Sequence, residues 1–355
     1  MSRLFAELKL RGTSFRNRAW VAPMCQYSSV GGYPQDWHLV HLGSLARGGA
    51  GLVMQEATAV VPEGRITPSD AGIWEDGQAQ AYERITSFVR GQGAVVGIQL
   101  SHAGRKASTQ PPWEGDEYVE AASGGWETVA PSPVAFGDWP EPAELGADEI
   151  RGLVEAFRAG AQRALAAGYE VAEIHAAHGY LLHQFLSPLS NHRTDEYGGD
   201  LDGRSRFLVQ VTDAVRAVWP QDRPLFVRLS ATDWVDGGWD VEETVDVSRR
   251  LVGHGVDLVD VTSGGLVPGA RIEVEPGYQV PFARAVREGA GLPVSAVGLI
   301  TAPEQADQIL VDRSADAIML AREVLRNPTW PLWAAHVLGD QVPWPPQYQR
   351  GRWRR

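Results

Sequence analysis

Short apolar runs recur along the chain, separated by longer amphipathic stretches, which is the pattern of parallel strands crossed over by helices. The strand candidates are Trp20–Ala22, Gly51–Gln55, Val95–Leu100, Val171–His175, Leu225–Leu229, Leu258–Val261, Val294–Val297 and Ala317–Leu320. Helical patterns follow nearly all of them, at Leu39–Arg47, Gln78–Gly91, Asp148–Ala167, Leu201–Val218, Val241–Val252, Val280–Glu288, Pro303–Val311 and Pro328–Leu338. Eight units predict an α/β protein of one domain, a (β/α)8 TIM barrel spanning residues 1–355. An open doubly wound sheet would carry a glycine-rich phosphate loop early, and no such run follows the first strand. The Gly-, Pro- and Trp-rich interval 109–145, after the third strand, is too long for an ordinary connection and is expected to cap the barrel mouth. Residues 341–355 form a C-terminal tail, either frayed or docked.

Composition narrows the partners. The chain is 44% hydrophobic and 21% charged, as globular proteins are, which argues against disorder. A formal charge of −12 works against nucleic-acid and anionic-membrane partners, both of which need a positive surface. The single cysteine, Cys25, can form no internal disulfide and cannot by itself hold an iron–sulfur cluster, so a reducing compartment suits it. The first twenty residues lack the apolar core of a signal peptide, and no segment offers the roughly twenty apolar residues that span a bilayer, so a cytoplasmic location is expected. The 13 Trp are assigned to packing.

In such barrels the active site gathers at the carboxyl ends of the strands. Here those ends read Ala22-Pro23-Met24-Cys25-Gln26-Tyr27, Glu56-Ala57, Gln99-Leu100-Ser101-His102, His175-Ala176-Ala177-His178-Gly179-Tyr180, Arg228-Leu229-Ser230, Ser263-Gly264-Gly265, Gly298 and Ala321-Arg322. Glycines and neutral donors after the last three strands, with Arg322 as a bidentate cation, fit a phosphate site. Taken singly, each fits a tight turn or a surface ion pair equally well, but their coincidence across adjacent strands favours phosphate. His175, His178 and Tyr180 can converge on one small space. A zinc site is the competitor, but neither a Cys cluster nor an HExxH accompanies them, so no metal is expected. Imidazole donors facing a carbonyl or nitro oxygen would withdraw charge from a conjugated alkene, and a phenol could supply the proton.

The blocks Pro23-Met24-Cys25-Gln26-Tyr27, QLSHAGRK at Gln99–Lys106, HAAHGYLLHQFLSPLSNHRTDEYGG at His175–Gly199 and Gln347-Tyr348-Gln349-Arg350-Gly351 resemble Old Yellow Enzymes of the thermophilic-like class. The similarity covers nearly the whole chain, and the His175–Gly199 block carries most of its specificity.

That resemblance implies an FMN-binding TIM barrel that acts as an NADPH dehydrogenase and ene-reductase. Ala22, Pro23, Met24 and Cys25 would line the flavin, Ala57 and Gln99 would bind its ring, and Arg228 would counter the charge the ring gains on reduction. Gly298, Ala321 and Arg322 would hold the phosphate. His175 and His178 would bind the activating oxygen of a small-molecule substrate, Tyr180 would donate the proton, and Tyr27 would add a contact. Arg350 would reach a neighbouring subunit's site in a homo-oligomer, although a disordered basic tail explains it as well from sequence alone. Ala321 departs from the glycine commoner there, and Trp37, Trp353 and the insertion leave substrate range open. Relatives with an iron–sulfur cluster do not fit one cysteine. A barrel aldolase would need a Schiff-base lysine, for which Lys106 is the candidate. The alternative outside catalysis is a flavin-binding redox sensor using Cys25.

Overall fold

All eight apolar runs are strands, and they close on themselves. The computed structural model describes residues 1–353. The barrel strands are β1 (Ala19–Val21), β2 (Leu52–Ala59), β3 (Val95–Ser101), β4 (Val171–Ala176), β5 (Leu225–Ser230), β6 (Leu258–Thr262), β7 (Val294–Ala296) and β8 (Ala317–Leu320). Each is parallel to its neighbours in chain order, and β8 returns to β1 with Leu320 opposite Val21. Burial on both faces explains their near-continuous apolar character. The crossover helices are α1 (Asp36–Arg47), α2 (Asp76–Gly91), α3 (Ala147–Ala166), α4 (Leu201–Val218), α5 (Val241–Gly253), α6 (Val280–Ala290), α7 (Pro303–Val311) and α8 (Trp330–Val337).

One element escapes the sequence pattern. The antiparallel hairpin Leu8–Leu10/Thr13–Phe15 sends Phe15 against Trp20 of β1, 4.6 Å between ring centroids, and Trp20 stacks on Phe226 of β5 at 5.9 Å. These rings fill the lower end of the barrel.

Above them the interior turns polar. Gln99 Nε2 donates to Glu173 Oε1 at 2.7 Å, Arg228 Nε faces Asp260 Oδ2 at 2.9 Å, and Ser295 Oγ donates to Asp260 Oδ1 at 2.7 Å. A β-bulge in β2, where pairing with β3 jumps from Gln55 to Ala57, releases Glu56 from the ladder. Glu56 uses that freedom to accept the Gln26 N–H at 2.7 Å and to face His38 of α1 at 3.2 Å, which fixes the loop after β1.

The insertion after β3 contains two short 3-10 turns and a two-stranded pair, Val129–Ala130 with Ala143–Glu144. It lies over the mouth: Trp113 meets Tyr27 edge-on at 5.7 Å, and Trp126 packs against the same buried cluster, Ile66, Ala103 and Ala107, as Cys25, Tyr27 and Tyr180. The tail docks, with Trp353 stacked on His336 of α8 at 5.6 Å. No described helix is long and apolar enough to cross a membrane.

Candidate active site

The loop after β4 makes a sharp turn in which His178 and Gly179 both take left-handed backbone angles, φ +58° and +73°. For histidine this is a strained conformation of the kind that gathers at functional sites. Glycine is required next to it, because a Cβ on Gly179 would stand 2.2 Å from the Gly265 carbonyl oxygen. The turn brings three rings together. His175 meets His178 edge-on at 5.2 Å between centroids and Tyr180 at 5.0 Å.

Both imidazoles are held neutral. Burial is the largest cause of their lowered pKa, and the Arg228 charge adds to it. The Ala177 N–H donates to His175 Nδ1 at 3.3 Å, which leaves the proton on Nε2 as a free donor. His178 Nε2 lies 3.0 Å from Thr262 Oγ1, whose hydroxyl donates to Gln279 Oε1 at 3.2 Å, so Thr262 accepts from His178 and the imidazole proton sits on Nε2. Burial first, then the charges of Cys25 and Asp70, pushes the Tyr180 phenol well above its ordinary range, so it is protonated at neutral pH.

Across the mouth, Cys25, Tyr27, Tyr180 and Trp126 all pack against the buried cluster of Ile66, Ala103 and Ala107. The Cys25 thiol is also pushed up, by burial and then by Asp70 and Glu56. Ala22 is buried at the end of β1, Met24 packs on the main core, and Ala57 pairs with Gln99 in the β2–β3 ladder. Arg228 lies beside His175 in register, between Glu173 and Asp260. Arg228, Gly298, Ala321 and Arg322 line one pocket of about 160 Å³ with Thr262, Tyr278 and Gln279. Arg350 stands apart from this cluster, exposed on the 3-10 turn Pro346–Gly351.

Some polar members are invisible in the sequence. Lys106, considered there only as a Schiff-base candidate, donates to the carbonyls of His178 at 2.8 Å and Gly265 at 2.9 Å and lies 5.1 Å from the Tyr180 ring centre. Gln279, on the approach to α6, accepts from Ser263 at 2.6 Å and donates to the Val297 carbonyl at 3.1 Å. Neither belongs to an apolar run or a strand end, so no periodicity marks them.

The pocket has the donor chemistry of an anion site. Among the described residues Arg322 faces no carboxylate within ion-pair distance, so its guanidinium is available to a phosphate. Gly298 has φ +120°, and a Cβ there would come within 2.9 Å of Gln279 Nε2, so the side-chain-free position keeps the pocket open. An available guanidinium at an open pocket, a buried arginine and a mouth lined by neutral polar rings fit FMN.

A parallel barrel with this mouth is the frame of an FMN-dependent oxidoreductase, and the chain belongs to the NADH:flavin oxidoreductase / NADH oxidase family, which it matches over residues 3–341. It is 47% identical over 354 residues to the NADPH dehydrogenase of Geobacillus thermodenitrificans (strain NG80-2), covering 99% of this chain and 98% of that one. With the NADPH dehydrogenase of Bacillus subtilis (strain 168) it shares 45% over 352 residues, 98% of this chain and 99% of the relative. Among solved structures it is similar to morphinone reductase, with TM-score 0.79, 29% identity, and coverage of 98% of this chain and 92% of the other.

Proposed function

We propose that the protein is an NADPH dehydrogenase that reduces the activated C=C bond of α,β-unsaturated carbonyl or nitro compounds. The names of its relatives support the donor, and the cluster of two neutral imidazoles and a protonated phenol carries the acceptor assignment. Bound FMN would supply the two-electron chemistry, accepting hydride from NADPH and donating hydride to the β-carbon of an alkene.

The residues of this chain do the rest. Arg322, Gly298 and Ala321 hold the phosphate. Ala22, Pro23, Met24, Cys25, Ala57 and Gln99 line the ring, and Arg228 offsets the negative charge that reduction adds. His175 donates from Nε2 to the activating oxygen of the substrate. On substrate binding the His178 Nε2–H passes from Thr262 Oγ1 to the same oxygen. Two donors aimed where negative charge develops stabilise the transition state more than the ground state. Tyr180 gives its hydroxyl proton to the α-carbon, while Tyr27 and the capping Trp113 and Trp126 limit water entry. Cys25 remains a thiol against the ring and substrate. No observation favours a sensor that would depend on its thiolate.

The tail supports a homo-oligomer. Tyr348 accepts a hydrogen bond from Arg47 at the C-terminal end of α1, while Trp37 near its start donates to Gln26 at the mouth. The 12 residues of α1 span about 18 Å, which sets Tyr348 and the neighbouring Arg350 at the end of the helix away from Trp37 and the mouth. Two copies with α1 packed antiparallel about a two-fold axis bring each Arg350 to the other's site. Exposed Trp37 and Val40, 55% and 66% accessible, supply the apolar face for that contact.

Product analysis tests the assignment. FMN-loaded protein turning over NADPH with 2-cyclohexenone should yield cyclohexanone; NADPH consumption with the enone returned unchanged would contradict it.

A further inference from the structure

The left-handed turn that carries His178 and Tyr180 hangs on side chains from elsewhere in the barrel, and its backbone accounting is complete. His178 N–H donates to Ser230 Oγ at 2.9 Å, and its carbonyl accepts from Lys106 at 2.8 Å. Gly179 N–H donates to His183 Nδ1 at 2.9 Å, and its carbonyl accepts from Gln184 Nε2 at 2.7 Å. Of these anchors, only His183 depends on a protonation pattern set by another residue. Because its Nδ1 is an acceptor, its proton sits on Nε2, which faces Asp233 Oδ1 at 3.0 Å. Both side chains are wholly inaccessible. The other carboxylate oxygen accepts from Ser187 Oγ at 2.7 Å and from Trp239 N–H at 2.9 Å. Burial alone would raise the Asp233 carboxyl, but the bond and charge of His183, with Ser187 and Trp239, hold it below its ordinary value.

We propose that Asp233 and His183 form one positioning unit: the carboxylate locks His183 in the Nε2–H tautomer, so that Nδ1 anchors Gly179 and thereby aims His178 and Tyr180 at the substrate. Nothing in this unit touches the reacting atoms. The inference rests on the roles proposed above for His178 and Tyr180.

An amide at position 233 separates the lock from the fold. Trp239 N–H can only donate, so an asparagine must turn its oxygen toward Trp239 and its NH2 toward His183. That NH2 requires a bare Nε2 and drives the proton to Nδ1, where it opposes the Gly179 N–H. In the FMN-loaded protein, Asp233→Asn should therefore shift the His183 ¹⁵N resonances from the Nε2–H to the Nδ1–H pattern. It should also weaken phenol binding by about tenfold, the scale of one frustrated buried hydrogen bond. Acceptor-dependent kcat should fall with bound FMN retained.

His183→Asn and His183→Leu give a second arm that does not depend on Asp233→Asn folding. Asparagine keeps an acceptor near the Nδ1 position and leucine does not, so phenol affinity should be higher in the asparagine variant. An unchanged tautomer with phenol affinity within twofold of wild type in Asp233→Asn, or equal affinities in the two His183 variants, would overturn the proposal. Wild-type protein that binds no phenol would instead contradict the roles of His178 and Tyr180, and the tautomer measurement would still decide the lock.

Discussion

Tyr180 meets His175 edge-on at 5.0 Å, and the phenol is pushed well above its ordinary acidity by burial and by Cys25 and Asp70. An acid so placed can give its proton only to something lodged beside the imidazoles. Tyr180→Phe should therefore slow reoxidation by an enone about 10²–10⁴-fold, the usual worth of a positioned general acid, while NADPH reduces the flavin at near the wild-type rate. Stopped-flow absorbance separates the halves; equal losses in both would remove Tyr180 from proton delivery.

On the proposed reading, the imidazole N–H donors would receive a phenolate oxygen as they receive that of an enone. His175→Ala and His178→Ala should each weaken p-hydroxybenzaldehyde binding by about tenfold or more, as loss of a hydrogen bond to a charged group does. Titration of the long-wavelength charge-transfer band measures this. Unchanged titrations would place the two rings outside the oxyanion site.

Glu173, buried under the mouth, is raised to about 8 by burial and then by Asp260, against the opposing pull of Arg228 and the Gln99 hydrogen bond. A carboxyl with a raised folded-state pKa contributes its stability fully below the ordinary carboxyl range and loses it as pH rises through about 8. Glu173→Gln keeps an acceptor for Gln99 and removes the titration, so its melting temperature relative to wild type should climb between pH 5 and pH 9. Thermal melts at fixed FMN check the slope, and a flat difference would mean that Glu173 is already ionised at pH 5.

The strands were legible because burial on both faces writes each as an unbroken apolar run, and Leu225–Leu229 against the observed Leu225–Ser230 shows how little was left to find. The hairpin under the barrel was not, since Leu8–Leu10 and Thr13–Phe15 bury only Leu10 and Phe15 and alternate too briefly to register. Polar residues at strand ends announced His175, Arg228 and Arg322, because chemistry concentrates there. Glu173 lies inside an apolar strand run, away from the strand end, and bonds Gln99 in the interior. Lys106, Gln279 and Asp233 act through backbone groups and other side chains, and a contact of that kind leaves no spacing in the sequence.

Cys25 separates the enzyme from the sensor. Its thiol is pushed up by burial and by Asp70 and Glu56, and the thiolate is the reactive form. Iodoacetamide should label Cys25 at pH 7.5 more slowly than it labels free cysteine, and Cys25→Ser should retain turnover with altered kinetics. Rapid labelling together with complete loss of turnover in the serine variant would favour the thiol as the working group.

Anaerobic spectroscopy of the FMN-loaded protein is the most direct test of NADPH as donor and an activated alkene as acceptor. NADPH should bleach the visible absorption of the bound flavin, and 2-cyclohexenone added next should restore it. Bleaching without recovery would contradict alkene reduction, and no bleaching at all would contradict NADPH as the donor.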